Sequence, residues 1–165
     1  MENKRLFAGR SQRFGLFLSI LLLAGACTRA GENSQNVALI TEEEAALPAS
    51  AGDLERGSTQ ACGPPDIRIE SPRGDRTYPS PLSVQVRFTP SSGATIDLAS
   101  IRIELLKLGL KIDLTPRARD YITAAGISMS KAEVPRGNHR VRISVADTSG
   151  KKCSEDVEFT VTRER

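Results

Sequence analysis

Residues 82–88 read LSVQVRF, and this short stretch shows the pattern that decides the fold. Leu82, Val84, Val86 and Phe88 are apolar, and polar residues separate them. Because successive side chains of a β-strand point to opposite faces of a sheet, this period of two predicts a strand with one buried face. The same period recurs at residues 67–70, 101–105, 141–145 and 157–161.

Two weaker runs extend the pattern. Their alternating apolar residues are Leu108, Leu110, Ile112, Leu114, Ile127 and Met129. Turn-forming stretches separate the runs, among them SPRGDRTYPSP, TPSSGA, PRGN and DTSGKK. Strands that each bury one face pack sheet against sheet. About seven short strands over residues 62–165 therefore predict an all-β, immunoglobulin-like sandwich.

One short helical crossover is expected inside the sandwich, in TPRARDYITAAG. Thr115 has the side chain of an N-cap, and Pro116 suits the first helical position. Gly126 is a residue that commonly ends a helix. These three residues predict a helical turn that connects the two sheets.

The chain begins with a pattern typical of an export signal. Basic residues precede an uncharged apolar stretch at residues 14–26, which is shorter than the roughly 20 residues needed to span a bilayer. Residues 23–27, LAGAC, resemble a bacterial lipoprotein box. The resemblance implies a signal peptide over residues 1–26 and an acylated Cys27 as the first mature residue. The alternative is an ordinary secretory signal followed by an incidental cysteine.

Resemblance to Gram-negative lipoproteins also implies a location. Thr28, rather than Asp, follows the cysteine, which favours the outer membrane. The expected localisation is the bacterial cell envelope, with the protein held by its lipid on the periplasmic or the surface face.

Residues 27–61 are predicted to form a lipidated flexible linker. The stretch after Cys27 is rich in Ala, Gly, Ser, Thr and Glu and has no aromatic residue, so it buries too little apolar surface to fold. Residues 39–47, LITEEEAAL, have the composition of a transient helical turn. The folded domain is expected to span residues 62–165.

Charge and composition exclude one class of partner. Residues 28–61 carry two Arg and six acids, whereas residues 62–165 carry 17 Lys and Arg against 13 acids. A surplus of four positive charges is far from the dense basic patch of a nucleic-acid-binding protein. The chain has no Trp and two Tyr, too few for a platform on which bases stack.

Three stretches resemble the bacterial Ig-like domains of exported surface proteins: PPDIRIESP, VPRGNHRVRISVADTSG and VEFTV. The resemblance covers roughly residues 62–162 and brings no shared catalytic set or cofactor. It implies a non-catalytic envelope protein that presents a binding module for protein or glycan. The alternative is a structural or accessory subunit of an envelope assembly that uses sheet-edge contacts. An enzyme would need converging polar residues that the sequence does not indicate.

Cys62 and Cys153 are expected to form a disulfide. Export leads to an oxidising compartment, and in an Ig-like sandwich the chain start and the final hairpin lie at the same end. Two free thiols or two metal ligands are the alternatives. Two sulfurs and the single His139 make a poor zinc set, so no metal is expected.

Two isolated polar residues invite functional interpretations. His139 is the only histidine, and at the turn into the penultimate strand we expect it to bond nearby backbone or to face water. Asp147 is the only acid in its turn, whereas calcium needs six to eight oxygen ligands. A turn-forming role is therefore expected for Asp147.

A row of arginines supplies the candidate ligand contacts. Arg140 and Arg142 are expected to project outward from one strand, and Arg136 lies just before it. Such a row suits an anionic glycan, a lipopolysaccharide phosphate or an acidic protein. Protection of a sheet edge and a plain solvated face remain the alternatives.

Overall fold

The computed structural model describes residues 36–48, 62–74 and 76–162, all within one compact unit, Asn33–Arg165. The predicted signal peptide, residues 1–26, and the predicted lipidation site, Cys27, lie outside these ranges. Within them, no helix has the length and apolar character needed to cross a bilayer.

The described residues form two five-stranded sheets. The strands of the first sheet, in spatial order, are β1 (Val37–Ala38), β8 (Gly126–Glu133), β4 (Leu82–Thr89) and β2 (Asp66–Ser71), with β7 (Ile122–Thr123) also pairing with β8. Those of the second sheet are β3 (Thr77–Pro79), β10 (Lys152–Thr162), β9 (Gly137–Asp147), β5 (Ile96–Lys107) and β6 (Leu110–Asp113).

This strand order is that of an immunoglobulin-like sandwich. Strands β2, β4 and β8 share one sheet, and β5, β9 and β10 share the other, so the chain crosses between the sheets after β4, returns after β6 and crosses again after β8. Immunoglobulin domains divide their strands between two antiparallel sheets in the same way. The predicted fold class is confirmed.

The core lies between the sheets and is built from the alternating residues. Leu82, Val86 and Phe88 are buried, while Arg87 between the last two is exposed. The inward residues of β5, β9 and β10 are buried in the same way. Burying one such side chain contributes about 1.5–3 kcal/mol, so the period of two is the main determinant of the fold.

The predicted helical crossover is shorter than expected. Helix α2 covers only Thr115–Ala118, and a 3-10 turn covers Arg119–Tyr121. Thr115 is not the N-cap, because its hydroxyl instead accepts a hydrogen bond from the Ile103 amide at 2.9 Å. Gly126 does not end the helix; it opens β8, with a φ of 149°.

The upper end of the sandwich, where β9 turns into β10, contains the predicted disulfide. Cys62 and Cys153 are bonded, with their Cα atoms 5.6 Å apart. The bond ties the start of the domain to the final hairpin across 91 residues of sequence. The expectation of a disulfide is therefore confirmed.

The lower end carries the turn between β5 and β6 and the loop between β8 and β9. Residues 36–48, here called the clasp, pack against this end, so the flexible-linker prediction is wrong for them. β1 pairs in parallel with β8, and the Leu39 amide donates to the Glu133 carbonyl at 3.0 Å. Leu39 and Ile40 are 7% and 2% exposed.

An ion pair holds the short helix of the clasp, α1 (Glu42–Ala46), against the sandwich. Thr41 and Glu44 form a capping box at its start, each side chain bonding the other residue's amide. The Glu44 carboxylate also accepts two hydrogen bonds from Arg117, at 2.7 and 2.8 Å. Arg117 donates a third bond to the Leu39 carbonyl at 3.0 Å, so it joins both parts of the clasp to α2.

Lys107 binds the clasp to the β5–β6 hairpin. It follows Leu105 on the inward face of β5 and is only 2% exposed. Its ammonium donates to the Ala45 carbonyl at 3.0 Å, and burial lowers its pKa. The next amide, that of Leu108, donates to the Pro48 carbonyl at 3.0 Å. The clasp and the base of the hairpin therefore form one connected structure.

Candidate functional site

The outward face of the second sheet concentrates charged side chains. Antiparallel pairing of β9 with β10 sets Arg142 opposite Asp156 and Arg140 opposite Glu158. Cross-strand neighbours on one face lie close enough for their side chains to interact. The alternation that buries the core therefore also gathers these four groups on the opposite face.

Asp156 is the centre of this charge network. Arg142 donates to both of its carboxylate oxygens, at 2.7 and 3.0 Å, and Arg140 donates to one of them at 2.9 Å. Burial raises the pKa of Asp156, but the hydrogen bonds and charges of Arg142 and Arg140 outweigh it, so the pKa is lowered overall. The carboxylate is therefore held ionised between two cations.

A recess of about 310 Å³ lies beside the network on the same face. Its walls include Gly74, Leu106, Asn138, Arg140, Glu158 and Thr160. Leu106 is 5% exposed and supplies apolar surface, while the Thr160 hydroxyl donates to the Asn138 side-chain oxygen at 2.8 Å. Most of its walls are polar or charged, so the recess offers a ligand hydrogen-bonding groups beside a small apolar surface.

The structure divides the predicted arginine row. Arg140 and Arg142 point outward from β9 as expected, but their side chains are only 14% and 13% exposed, and both bind Asp156. Arg140 also lies 3.5 Å from a Glu158 carboxylate oxygen. Arg136 is exposed in the loop before β9 and borders a different groove, at the lower end. The three arginines therefore do not form one uncompensated basic surface.

His139 is buried and bonds to backbone, one of the two outcomes predicted for it. Its Nε2 lies 2.8 Å from the Pro135 carbonyl oxygen, and its ring packs 5.7 Å from that of Phe159. Burial lowers its pKa, opposed by the bond to Pro135 and reinforced by the charge of Lys107. The imidazole lies in the wall of the recess but is only 2% exposed, and its Nε2 is already bonded to backbone.

Asp147 forms the turn between β9 and β10, as the sequence predicts. One carboxylate oxygen accepts bonds from the Ser149 amide and hydroxyl and from the Lys151 amide, at 3.0, 2.6 and 3.2 Å. The other accepts from the Ser91 amide at 3.2 Å. The bonds from Ser149 and Ser91 lower the pKa of Asp147. Both oxygens are thus committed to the turn, and no three metal-binding side chains cluster anywhere in the described ranges.

Sequence reasoning missed the acidic half of the charge network, although a signal for it exists. The motif RVR at residues 140–142 and the motif DVE at residues 156–158 flank the turn that Asp147 forms. A hairpin centred on that turn sets the two motifs opposite each other. Matching opposite charges on the two strands of this hairpin would have predicted the ion pair between Arg142 and Asp156.

Comparison with known proteins gives distant structural similarity alone. No protein-family model matches the chain, and neither does any curated protein. Among solved structures, an endo-beta-1,4-mannanase from Thermotoga petrophila aligns with 59% of this chain at 14% identity and a TM-score of 0.43, over 20% of the mannanase chain.

Two smaller proteins align over nearly their whole length. CopC from Methylosinus trichosporium OB3b is 21% identical with a TM-score of 0.39, covering 61% of this chain and 92% of CopC. The fibronectin(III)-like modules of Clostridium thermocellum CbhA are 12% identical with a TM-score of 0.35, covering 60% of this chain and 99% of that chain. The fold assignment therefore rests on the strand order described above.

Proposed function

We propose that this chain is a non-catalytic, lipid-anchored protein of the bacterial cell envelope that presents its Ig-like sandwich as a binding module for protein or glycan. The observation that carries the proposal is the recess on the outward face of the second sheet, where Asn138, Thr160 and Glu158 surround the apolar Leu106. Hydroxyl, amide and carboxylate groups at the rim suit the hydroxyls of a sugar or the backbone of a peptide.

The charge network supports binding rather than catalysis. General acid–base chemistry needs a group that exchanges protons near neutral pH. The two arginines hold Asp156 ionised, and His139 is enclosed with its Nε2 bonded to a backbone carbonyl. These groups make a rigid, preorganised face, which lowers the entropy lost when a ligand binds.

The binding proposal is tested by filling the recess. Asn138→Tyr places a large ring in it without replacing any residue of the Asp156 network, and Ser130→Tyr, on the exposed face of β8 in the other sheet, is the matched control. Crosslinking in intact cells and a glycan array should give a specific ligand that Asn138→Tyr loses and Ser130→Tyr retains. Equal binding by both variants would exclude the recess as the site.

The anchor at Cys27 has its own test. We expect Cys27→Ser to release the protein from the membrane fraction, because each buried acyl methylene contributes about 0.8 kcal/mol to attachment and the variant has no acyl chain. Fractionation and mass spectrometry of the mature N-terminus measure the two consequences. A variant that stays with the outer membrane, or an unmodified Cys27 in the native protein, would contradict the anchor.

An accessory role through sheet-edge contacts is the second candidate. Among the described residues, strand β6 ends the order of the second sheet, so its outer backbone edge is the place where a strand from another protein could pair. The crosslinking experiment separates the two roles. A single stoichiometric envelope protein, crosslinked at β6 and unaffected by Asn138→Tyr, would favour the accessory role.

A further inference from the structure

We propose that the tip of the β5–β6 hairpin, formed by Leu108 and Leu110, inserts into the surface of the membrane that holds the lipid on Cys27. This inference rests on the proposed lipid anchor and adds an orientation to it: the lower end of the sandwich faces the bilayer.

The tip is unusually apolar for its position. Leu108 and Leu110 are 59% and 51% exposed on either side of Gly109. Hairpin turns are normally built from Gly, Asn, Asp, Ser and Pro, which water solvates well. Within the part of the chain that the structure describes, the other large exposed hydrophobic residue is Leu98, near the start of β5 at the upper end. The two leucines at one turn therefore form a local apolar feature.

The clasp fixes which end of the sandwich lies near the anchor. Asn36 bonds Glu133 at the lower end, through its side chain at 2.8 Å. Nine residue steps separate Cys27 from Asn36, a reach of about 32 Å when fully extended. The 12 residues of β5 span about 40 Å, so the upper end lies about that far from the lower end. In most orientations that turn the upper end toward the membrane, Asn36 would lie farther from the bilayer than the chain from Cys27 can reach. The lower end, with the leucines, is the end held next to the membrane.

The hairpin is rigidly connected to the point where the chain enters. The Leu108 amide bonds the Pro48 carbonyl and the Lys107 ammonium bonds the Ala45 carbonyl, each at 3.0 Å. Movement of the anchored clasp therefore carries the tip with it. This connection raises the local concentration of the two leucines at the bilayer, so weak insertion becomes effective.

Charges at the lower end are mixed, which decides the mode of insertion. Lys111 and Arg136 are exposed there, but so are Glu42 and Glu43 of the clasp. Attraction to anionic lipids is therefore not the driving force. The driving force is the transfer of leucine from water to the acyl boundary. Removal of one fully inserted leucine should therefore lower insertion about tenfold or more.

The absence of tryptophan from the sequence makes the test direct. The full chain carrying Leu110→Trp is purified from cell membranes and reconstituted into vesicles of phosphatidylethanolamine and phosphatidylglycerol. We expect its emission to shift to shorter wavelength and to be quenched by brominated lipids. Leu98→Trp is the matched control and should emit as a water-exposed indole. Equal, unshifted emission from both variants would overturn the proposal.

A second variant isolates the contribution of the other leucine. Leu108→Asp added to Leu110→Trp should abolish most of the quenching, because a charged residue at the tip is costly to insert. Persistent quenching would overturn the proposal. A blue shift without vesicles, rising with protein concentration, would also overturn it, by assigning the tip to a second copy of the chain.

Failure of the anchor and failure of insertion are distinguishable. Mass spectrometry decides whether Cys27 is acylated. If it is not, its thiol is coupled to a maleimide lipid, which is selective because Cys62 and Cys153 are joined in the disulfide and the sequence has three cysteines. A blue-shifted Leu110→Trp on such vesicles supports insertion independently of acylation, and an unshifted one refutes it.

Discussion

Glu44→Gln is expected to loosen the clasp while leaving the sandwich folded. The substitution keeps the size of the side chain and removes its charge. The native carboxylate accepts two hydrogen bonds from Arg117, at 2.7 and 2.8 Å, and one from the Thr41 amide at 2.9 Å. Glutamine retains one acceptor oxygen, so the two-point contact with the guanidinium is lost.

The pKa of Glu44 sets the scale of the effect. The hydrogen bonds from Arg117 hold it at about 2, against an ordinary 4.5. The difference converts to about 3.4 kcal/mol at most, at 1.36 kcal/mol per unit. The side chains of Arg117 and Glu44 are 33% and 16% exposed, so solvent screens part of this energy. We therefore expect Glu44→Gln to cost about 2 kcal/mol of clasp stability.

The same pKa predicts how the effect depends on pH. Because the folded-state pKa lies below 4.5, the stabilisation is complete above about pH 4.5 and is lost as the pH falls toward 2. The native protein and Glu44→Gln should therefore have equally loose clasps near pH 2. At neutral pH their difference should be largest.

Hydrogen exchange measures the opening of the clasp. The Leu39 amide is bonded to Glu133 across the interface, and that of Leu108 to Pro48. A loss of 2 kcal/mol should speed exchange of both about 30-fold at neutral pH, with little change in the sandwich core. Glu43→Gln removes an exposed neighbouring charge of the same helix and is the matched control. If the two variants exchange equally, the ion pair does not hold the clasp.

Three further substitutions test the sandwich itself. Cys62→Ser opens a disulfide loop with a sequence separation of 91, and the chain-entropy relation predicts a loss of about 4.6 kcal/mol in urea unfolding, matched by reduction of the native protein. Asp156→Asn removes the carboxylate that Arg140 and Arg142 share and should cost about 3 kcal/mol, part of which Arg142→Met should restore in the double variant. Gly126→Ala should destabilise by more than about 2 kcal/mol in the same assay, because a Cβ there would overlap the Val86 carbonyl at a φ unfavourable for alanine; unchanged unfolding would contradict that close approach.

The sandwich was predictable because its strands carry their own signal. Each principal run alternates without interruption, so local sequence alone sets which face is buried. The crossover was predicted less well because its boundaries depend on contacts with distant strands rather than on local sequence. Thr115 and Gly126 have helix-boundary residue types, but a distant strand amide uses the Thr115 hydroxyl and the close approach of β4 requires Gly126. Tertiary contacts decided both positions.

The clasp was missed because nothing in its own composition forces it to fold. Residues 37–40, VALI, are too few to show a period, and what buries them is the end of β8, nearly 100 residues later. Thr41 and Glu44 did carry a local signal, since Thr-x-x-Glu is the sequence of a capping box. Arg117 and Lys107, which hold α1 in place, are recognisable only once the sandwich is assembled.

The recess was partly predictable. Alternation places Arg140 and Arg142 on the outward face, as the structure has them, but their partner in β10 depends on the register of the hairpin. Leu106 falls at an outward position of β5, where Arg102 and Glu104 precede it on the same face, and yet it is 5% exposed. Such a cluster requires the register as well as the pattern.

The clasp also determines the order in which the protein would yield to a mechanical load. In a chain anchored at Cys27, tension applied to the domain reaches β1 and α1 before it reaches Cys62, where the disulfide closes the sandwich. Detachment of the clasp would add residues 36–61, about 85 Å when fully extended, to the chain between the anchor and the sandwich. Every strand of the domain from β2 onward would stay paired. The clasp would therefore detach before any load reached the disulfide-closed sandwich.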